Sequence, residues 1–301
     1  MIEILLKEWI EQIKYYIHLI ADYSIKESQV GAVLDDVLNL SGKMLRPKLL
    51  LLCAFLNSNW KNNKEKICKL AAMVELTHLA SLIHDDIVDD SPYRRGKVSI
   101  QGKYGKDAAV FAGDFLIARI FYYGAVENLN EAVSILSKTV EYMCIGEIEQ
   151  DLCRYQEDIS EKKYFENIER KTAALFQAAS YIGAKESGCS EEIIQKLELF
   201  VKNLGLMFQL KDDILDFTSN SKELGKETHK DFQNGIYTFP VIMALKNPKA
   251  REVLLPIMRK NKEERLSLAE ILQLQNYIIQ FGGIEASYEK IKYLSTINRQ
   301  L

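Results

Sequence analysis

The chain has 301 residues, of which 48% are hydrophobic and 27% are charged, and its formal net charge is −3. A chain of this length can bury a large core while its charged side chains keep it dissolved. The near balance of charge argues against nucleic acid or an anionic membrane as a general partner. A site for an anionic substrate must therefore be built from a local group of basic residues.

The N-terminal residues and the cysteines bear on the cellular compartment. The first ten residues mix charges among apolar positions and lack the cleavage signal of a secretory peptide. The longest apolar run, 49–56, is too short to span a bilayer. Five cysteines without a CxxC pair fit reduced thiols better than disulfides or a zinc site. We therefore expect a cytoplasmic protein without a transmembrane segment.

Apolar residues recur at spacings of three and four along nearly the whole chain, and this period predicts helices. Only 5 prolines and 15 glycines interrupt the pattern, and no alternating run is long enough to nucleate a sheet. The breaks between helices are expected at 57–64, 91–105, 156–163, 219–235 and 246–251. We therefore predict an all-α fold of roughly ten or more helices in a single domain, residues 1–301.

The first segment with a chemical signature is Gly42–Pro47, which carries Lys43 and Arg46. Proline is favoured at the first position of a helix, so Pro47 predicts a helix start there. The two cations would then lie near free backbone N–H groups, where anions bind readily. A surface loop with two unrelated cations is the alternative.

Two acidic segments of the same pattern follow, each inside apolar, helix-forming sequence. Their carboxylates belong to Asp85, Asp86 and Asp89 in the first segment and to Asp212, Asp213 and Asp216 in the second. Residues four apart share one face of a helix, and like charges stacked in this way repel. A divalent cation that prefers oxygen ligands, such as Mg²⁺, would turn that repulsion into binding. One segment alone could be a solvated acidic face, but two in apolar surroundings favour a Mg²⁺–diphosphate site on two facing helices.

Further candidates flank the first acidic segment. Arg94 and Arg95 follow it closely, and guanidinium groups can hold phosphate oxygens through paired hydrogen bonds. Unpaired surface arginines are the alternative. His78 lies seven residues before Asp85 on the same helical face, although a lone histidine in an apolar helix is more often a core residue.

These segments together resemble the signatures of the trans-prenyl (polyprenyl) diphosphate synthases, and most of all the medium- and long-chain bacterial members. Residues 82–96 look like the first acidic signature, 205–216 like the second, and 42–47 like the basic motif near the N-terminus. Lys171-Thr172 and Gly225-Lys226 occur in the expected order, and the resemblance covers about residues 40–245. It implies a helical bundle of the isoprenoid-synthase type around a central cavity.

The resemblance also implies an activity, namely the head-to-tail condensation of isopentenyl diphosphate with an allylic diphosphate, assisted by about three Mg²⁺ ions. The six aspartates would hold the allylic diphosphate through metal, and Arg94, Lys171 and Lys226 would neutralise the departing diphosphate. Isopentenyl diphosphate would contact Lys43, Arg46, His78 and Arg95, and the oxygens of Thr172 and Gln209 would face the carbocation. By the same resemblance we expect a homodimer, with a heteromeric partner subunit as a second option.

Product length is expected to depend on residues one to two turns before Asp85, namely Thr77, Ala80 and Ser81. Short-chain members of the family carry a bulky aromatic residue four or five positions before the acidic motif. Ala80 and Ser81 are small, so we predict a hexaprenyl to octaprenyl product. The alternative is a farnesyl or geranylgeranyl synthase in which another helix, near Tyr142 or Met143, closes the tunnel.

Two other classes share part of the pattern. A terpene cyclase ionises allylic diphosphates but needs no site for isopentenyl diphosphate, and a non-catalytic partner subunit can lose its carboxylates.

Two features depart from the family pattern. His229 replaces an expected small residue after Gly225-Lys226, and the sequence ends soon after Gly282-Gly283, which we expect to alter closure of the site or to leave surface for a partner.

Overall fold

The computed structural model describes residues 2–22, 28–40, 42–94, 96–218 and 230–301. Most of these residues are helical, which confirms the all-α prediction. In chain order the helices are α1 (Ile2–Ile20), α2 (Gln29–Leu38), α3 (Leu45–Ala54), α4 (Lys64–Val88), α5 (Ile100–Tyr104), α6 (Lys106–Val126), α7 (Asn130–Leu152), α8 (Glu161–Ile168), α9 (Ala174–Glu186), α10 (Glu191–Thr218), α11 (Lys230–Gln233), α12 (Phe239–Ala244), α13 (Pro248–Glu263), α14 (Leu268–Gln280) and α15 (Gly283–Asn298). A 3₁₀ turn occupies Ser58–Lys61, and a π turn, Glu169–Ala173, connects α8 to α9.

The sheet structure within the described residues consists of one short hairpin. Its strands are β1 (Tyr93–Arg94) and β2 (Lys97–Val98), paired antiparallel with Arg94 opposite Lys97. The hairpin and α5 lie inside the predicted break at 91–105. The predicted breaks at 57–64, 156–163 and 246–251 are confirmed, because each contains a helix boundary. Of the break at 219–235, residues 219–229 lie outside the described residues, and α11 follows them.

Two compact units divide the chain, namely Met1–Val140 with Leu175–Glu198, and Glu141–Ala174 with Leu199–Leu301. The single domain stays a prediction. In the first unit α4 packs against α1, α3 and α6. Met73, Val74 and Leu76 on α4 are fully buried. A helix that is apolar on most sides has to be covered by neighbours, and α4 is such a core helix.

The second unit has two buried apolar clusters. One gathers residues of α10, α11, α13 and α14, including Phe217, Phe232, Leu254 and Leu274. The other gathers Tyr164 of α8, Leu210 of α10, Phe239 of α12 and Leu294 of α15. The second cluster packs directly against the acidic part of α10 and therefore supports it.

Two helices of the described residues, α4 and α6, are long and apolar enough to cross a membrane by length and composition. The most apolar window of α4 is 72% buried inside the protein, so core packing explains its sequence. The corresponding window of α6 is only 39% buried, and Phe111 and Tyr122 on this helix are strongly exposed. Two such helices are weak evidence for a membrane protein.

Candidate active site

The first acidic segment ends α4. Asp85 lies in the last turn and Asp89 is the C-cap residue; both are partly exposed. The C-terminal end of a helix carries partial negative charge, which adds to the repulsion between carboxylates on one face. A cation bound at this end of α4 would remove both unfavourable interactions.

Asp86 has a different environment, because it is only 3% exposed. The Arg94 guanidinium donates through Nε to both carboxylate oxygens of Asp86 at 2.8 Å, and its Nη2 lies 2.8 Å from Oδ1. Gln101 Nε2 donates to the Asp86 carbonyl at 2.6 Å. The side chain of Asp86 therefore anchors the hairpin to the end of α4.

The basic group lies at the start of α3. Met44, the N-cap residue, has a left-handed φ of 54°, and the helix begins at Leu45. The prediction that Pro47 opens the helix is therefore wrong, because Pro47 is the third residue. Lys43 is exposed just before the helix, and the guanidinium carbon of Arg46 lies 4.6 Å from the centroid of the Phe176 ring.

The residues predicted to set product length lie on α4 with different exposure. Thr77 and Ala80 are buried, and Thr77 Oγ1 donates to the Met73 carbonyl at 2.9 Å. Ser81 is partly exposed and its hydroxyl donates to the carbonyl of His78 at 2.9 Å. His78 is also partly exposed. Ser81 is thus the member of the three with surface available to a substrate tail.

The second acidic segment lies near the end of α10. Like the first segment, it has two aspartates with exposed surface and one buried aspartate between them. Asp212 is exposed and Asp216 is partly exposed, whereas Asp213 is 2% exposed. Tyr164 donates its hydroxyl to Asp213 Oδ2 at 2.6 Å, and Gln209 Nε2 donates to Oδ1 at 3.0 Å. Burial raises the pKa of Asp213 to about 7, and the two hydrogen bonds act in the opposite direction. Burial also raises the pKa of Tyr164, so its hydroxyl keeps its proton and can donate.

Lys171 and Thr172 lie on the π turn and join this network. The Thr172 hydroxyl donates to Gln209 Oε1 at 2.8 Å, and Lys171 Nζ lies 3.0 Å from a carboxylate oxygen of Glu147. The Gln209 amide is thus held at both ends, because its nitrogen donates to Asp213. Its orientation follows from these partners.

A cavity lies over this network within the second unit. Its empty volume is about 670 Å³, part of which is open to solvent. Its walls include Lys171, Gln209, Asp213, Asn167 and Asp231. Such a cavity, with a few converging polar groups, is the usual form of a binding site for a small molecule.

The aspartates can be tested for their fit to Mg²⁺. Among the described residues no three His, Cys, Asp or Glu side chains are grouped closely enough for a protein-only metal site. Mg²⁺ in proteins commonly takes one or two carboxylates and completes its shell with water and phosphate oxygens. The pairs Asp85/Asp89 and Asp212/Asp216 fit such an ion, because each offers two carboxylates four residues apart on one helical face. Asp86 accepts hydrogen bonds from Arg94, and Asp213 accepts them from Tyr164 and Gln209.

Three predicted features lie outside the described residues, namely Arg95, Lys226 and His229. Conversely, Tyr164 and Glu147 belong to none of the motifs predicted from the sequence. No local signal singled out Tyr164, because its partner Asp213 is 49 residues away. No local pattern pointed to Glu147, because its partner Lys171 is 24 residues away.

Comparisons with known proteins agree with one another. The profile of the polyprenyl synthetase family matches residues 27–275. Heptaprenyl diphosphate synthase component 2 of Bacillus subtilis (strain 168) is 38% identical over 230 residues, which cover 76% of this chain and 65% of that protein, just under two thirds. The protein of the same name from Geobacillus stearothermophilus is 34% identical over 265 residues, or 87% of this chain and 80% of that protein.

A solved structure supports the same relationship. Polyprenyl synthase from Caulobacter crescentus CB15, complexed with calcium and isoprenyl diphosphate, superimposes with a TM-score of 0.88 at 30% identity. The superposition covers 98% of this chain and 88% of that one. That relative therefore binds a divalent cation and a diphosphate in the same fold.

Replacement of Asp85 and replacement of Asp86, both near the end of α4, are predicted to change the free energy of unfolding by different amounts. Asp86→Asn leaves the largely buried Arg94 guanidinium without its anion and should lower the free energy of unfolding by about 3–5 kcal/mol. Asp85→Asn removes a carboxylate from the negative end of a helix and should change it by less than about 1 kcal/mol. Urea unfolding without divalent cations measures both, and equal losses would contradict the division between Asp85 and Asp86.

Proposed function

We propose that this chain, which belongs to the polyprenyl synthetase family, joins isopentenyl diphosphate head to tail to an allylic diphosphate. The chain is a prenyltransferase, as are its named relatives. The observation that carries the proposal is the network in which Thr172, Gln209 and Asp213 are hydrogen-bonded in series, with Gln209 and Asp213 on the cavity wall. These hydrogen bonds fix the side-chain oxygens of Thr172 and Gln209 in place, and fixed oxygen dipoles suit a reaction in which positive charge develops.

Asp85 with Asp89, and Asp212 with Asp216, are the residues that would hold Mg²⁺. When bound, Mg²⁺ acts as a Lewis acid toward the diphosphate leaving group. Each pair offers two carboxylates of one helical face, as the ion requires. We propose that Asp86 and Asp213 instead hold these helix ends in place through Arg94 and Tyr164.

Basic residues would bind the two diphosphates. Lys171 faces the cavity and, with Lys226, is proposed to neutralise the departing diphosphate. Arg94 would contribute its remaining N–H groups and its charge, since its Nε is used by Asp86. Isopentenyl diphosphate is proposed to bind at Lys43, Arg46, His78 and Arg95, where the start of α3 offers backbone N–H groups.

The oxygens of Thr172 and Gln209 are proposed to stabilise the allylic cation. The Gln209 amide nitrogen donates to Asp213, so the amide cannot rotate to present its N–H₂ group to the cation without losing that bond. Dipoles fixed before the reaction stabilise developing charge without reorganisation. Apolar side chains such as Ile168 and Ile236 on the cavity wall would limit access of water.

The product is proposed to be of hexaprenyl to octaprenyl length. The Bacillus subtilis relative, named for a heptaprenyl product, falls within this range. The relative from Oryza sativa subsp. japonica, 36% identical, is named for the solanesyl (nonaprenyl) product, which is longer than the range and supports only a medium or long chain. A geranylgeranyl pyrophosphate synthase from Lactobacillus brevis ATCC 367 superimposes with a TM-score of 0.87 at 25% identity. A farnesyl or geranylgeranyl product therefore remains the alternative.

The assembly is proposed to be a cytoplasmic homodimer. The word component in the names of the two bacterial relatives makes a heteromer with a second subunit the alternative. The exposed apolar residues Phe111 and Tyr122 on α6 are surface that an interface would cover.

The proposed reaction is tested by product mass. The purified chain is incubated with farnesyl diphosphate, isopentenyl diphosphate and Mg²⁺, and we expect products of about six to eight prenyl units. Asp85→Asn and Asp212→Asn should each lower the rate by at least about 100-fold, whereas the exposed Asp158→Asn should not. Products no longer than geranylgeranyl would contradict the proposed chain length. No consumption of isopentenyl diphosphate, by the chain alone or with a second subunit, would contradict the proposed reaction.

Ser81→Phe is predicted to shorten the product, because the new ring would occupy the partly exposed position next to His78. The control is Ser81→Ala, which keeps the position small and should leave the product unchanged. Ala80→Phe is a poorer test because Ala80 is fully buried, and overpacking destabilises a core by about 1–3 kcal/mol. Mass spectrometry of the products decides, and an unchanged length with Ser81→Phe would show that the tail does not pass this residue.

A further inference from the structure

The π turn Glu169–Ala173 interrupts an otherwise continuous helical segment at Lys171 and Thr172. The N–H of Ala174 donates to the carbonyl of Glu169, five residues back instead of four. One inserted residue rotates the side chains beyond it by about 100° relative to an uninterrupted α-helix. Such turns are rare and less favourable than α-helix, so neighbouring structure has to hold this one in place.

Gly146 of α7 lies against one part of the turn. A Cβ atom at Gly146 would lie 2.9 Å from Arg170 Cβ and 3.2 Å from the Lys171 backbone nitrogen. Carbon atoms in contact normally stay about 3.5–4.0 Å apart. Asn167 Nδ2 also donates to the Gly146 carbonyl at 2.7 Å, so the backbone of α7 is tied to the chain just before the turn.

Gly205 of α10 lies against the end of the turn. A Cβ atom there would lie 2.7 Å from both Cα and Cβ of Ala173. Because Cα belongs to the backbone, no side-chain rotation could relieve the clash. Both contacts lie within the second unit, and each brings a helix backbone against the π turn at a distance that only glycine permits.

Each glycine also stands next to a partner of a functional side chain. Glu147 follows Gly146 and binds Lys171 Nζ at 3.0 Å, and Gln209 lies one turn after Gly205 and accepts from the Thr172 hydroxyl at 2.8 Å. An outward movement of either helix by about 1 Å would stretch these bonds beyond hydrogen-bonding distance.

We propose that Gly146 and Gly205 are positioning residues for the reaction, because their missing side chains let α7 and α10 close on the π turn and fix Lys171 and Thr172. The inference rests on the proposed function. The competing explanation is that both glycines serve only helix packing and stability. Gly283 of α15 provides the matched control, since a Cβ there would lie 2.2 Å from the Pro240 carbonyl oxygen, and its nearest neighbours belong to Pro240 and Ile278 rather than to the π turn.

The test compares Gly146→Ala, Gly205→Ala and Gly283→Ala by steady-state kinetics and thermal unfolding. We expect kcat to fall about 10- to 100-fold in the first two, with the KM for isopentenyl diphosphate within about twofold. Gly283→Ala should lower the Tm while kcat stays within about twofold. Unchanged kcat in the first two, or a comparable loss in Gly283→Ala, would overturn the proposal.

A double variant addresses the case in which Gly205→Ala folds poorly. Ala173→Gly in the Gly205→Ala background removes Ala173 Cβ, one of the two clashing atoms, and should therefore recover only part of kcat. Glycine inside a helix is itself destabilising, so recovery of kcat without recovery of Tm would support positioning. Recovery of Tm without recovery of kcat would contradict it.

Hydrogen exchange gives a readout that does not depend on activity. Amides of residues 169–174 should exchange faster in Gly146→Ala and Gly205→Ala than in wild type, and not in Gly283→Ala. If the wild-type chain consumed no isopentenyl diphosphate, the proposed function would fail while this measurement still decided whether the glycines hold the turn. Equal exchange in all variants would contradict the claim that Gly146 and Gly205 hold the π turn in place.

Discussion

Carboxylates placed four residues apart near the C-terminal end of a helix repel one another, and the helix dipole adds to that repulsion. The chain repeats this arrangement, with Asp85 and Asp89 at the end of α4 and Asp212 and Asp216 near the end of α10. A bound cation with a diphosphate would reverse the sign of that interaction, and this constraint explains much of what surrounds the two helix ends.

The middle aspartate of each segment has a separate task. Asp86 is neutralised by the two-pronged Arg94 guanidinium, and Asp213 is held by Tyr164 and Gln209. A buried carboxylate without such partners would be costly. The same bonds orient the end of α4 and the Gln209 amide, so the partners that satisfy each buried carboxylate also fix groups of the proposed site.

Local patterns predicted the helices and both acidic segments, because the helical period and i, i+4 spacing are written in consecutive residues. The early start of α3 was not predictable from Pro47, since it depends on the left-handed φ of Met44. The two-residue strands are too short to show a period. The π turn leaves no distinct apolar pattern, and the Tyr164–Asp213 bond joins residues 49 apart in the sequence, so tertiary packing alone determines it.

The most direct test of the central claim is calorimetric titration of the full chain with inorganic diphosphate at increasing Mg²⁺ concentration. If the paired carboxylates exist to hold a metal–diphosphate complex, diphosphate should bind much more tightly with Mg²⁺ than without. The Asp85→Asn/Asp212→Asn variant should lose that dependence while keeping the wild-type fold by circular dichroism. Equal affinity with and without Mg²⁺ in the wild-type chain would contradict the claim.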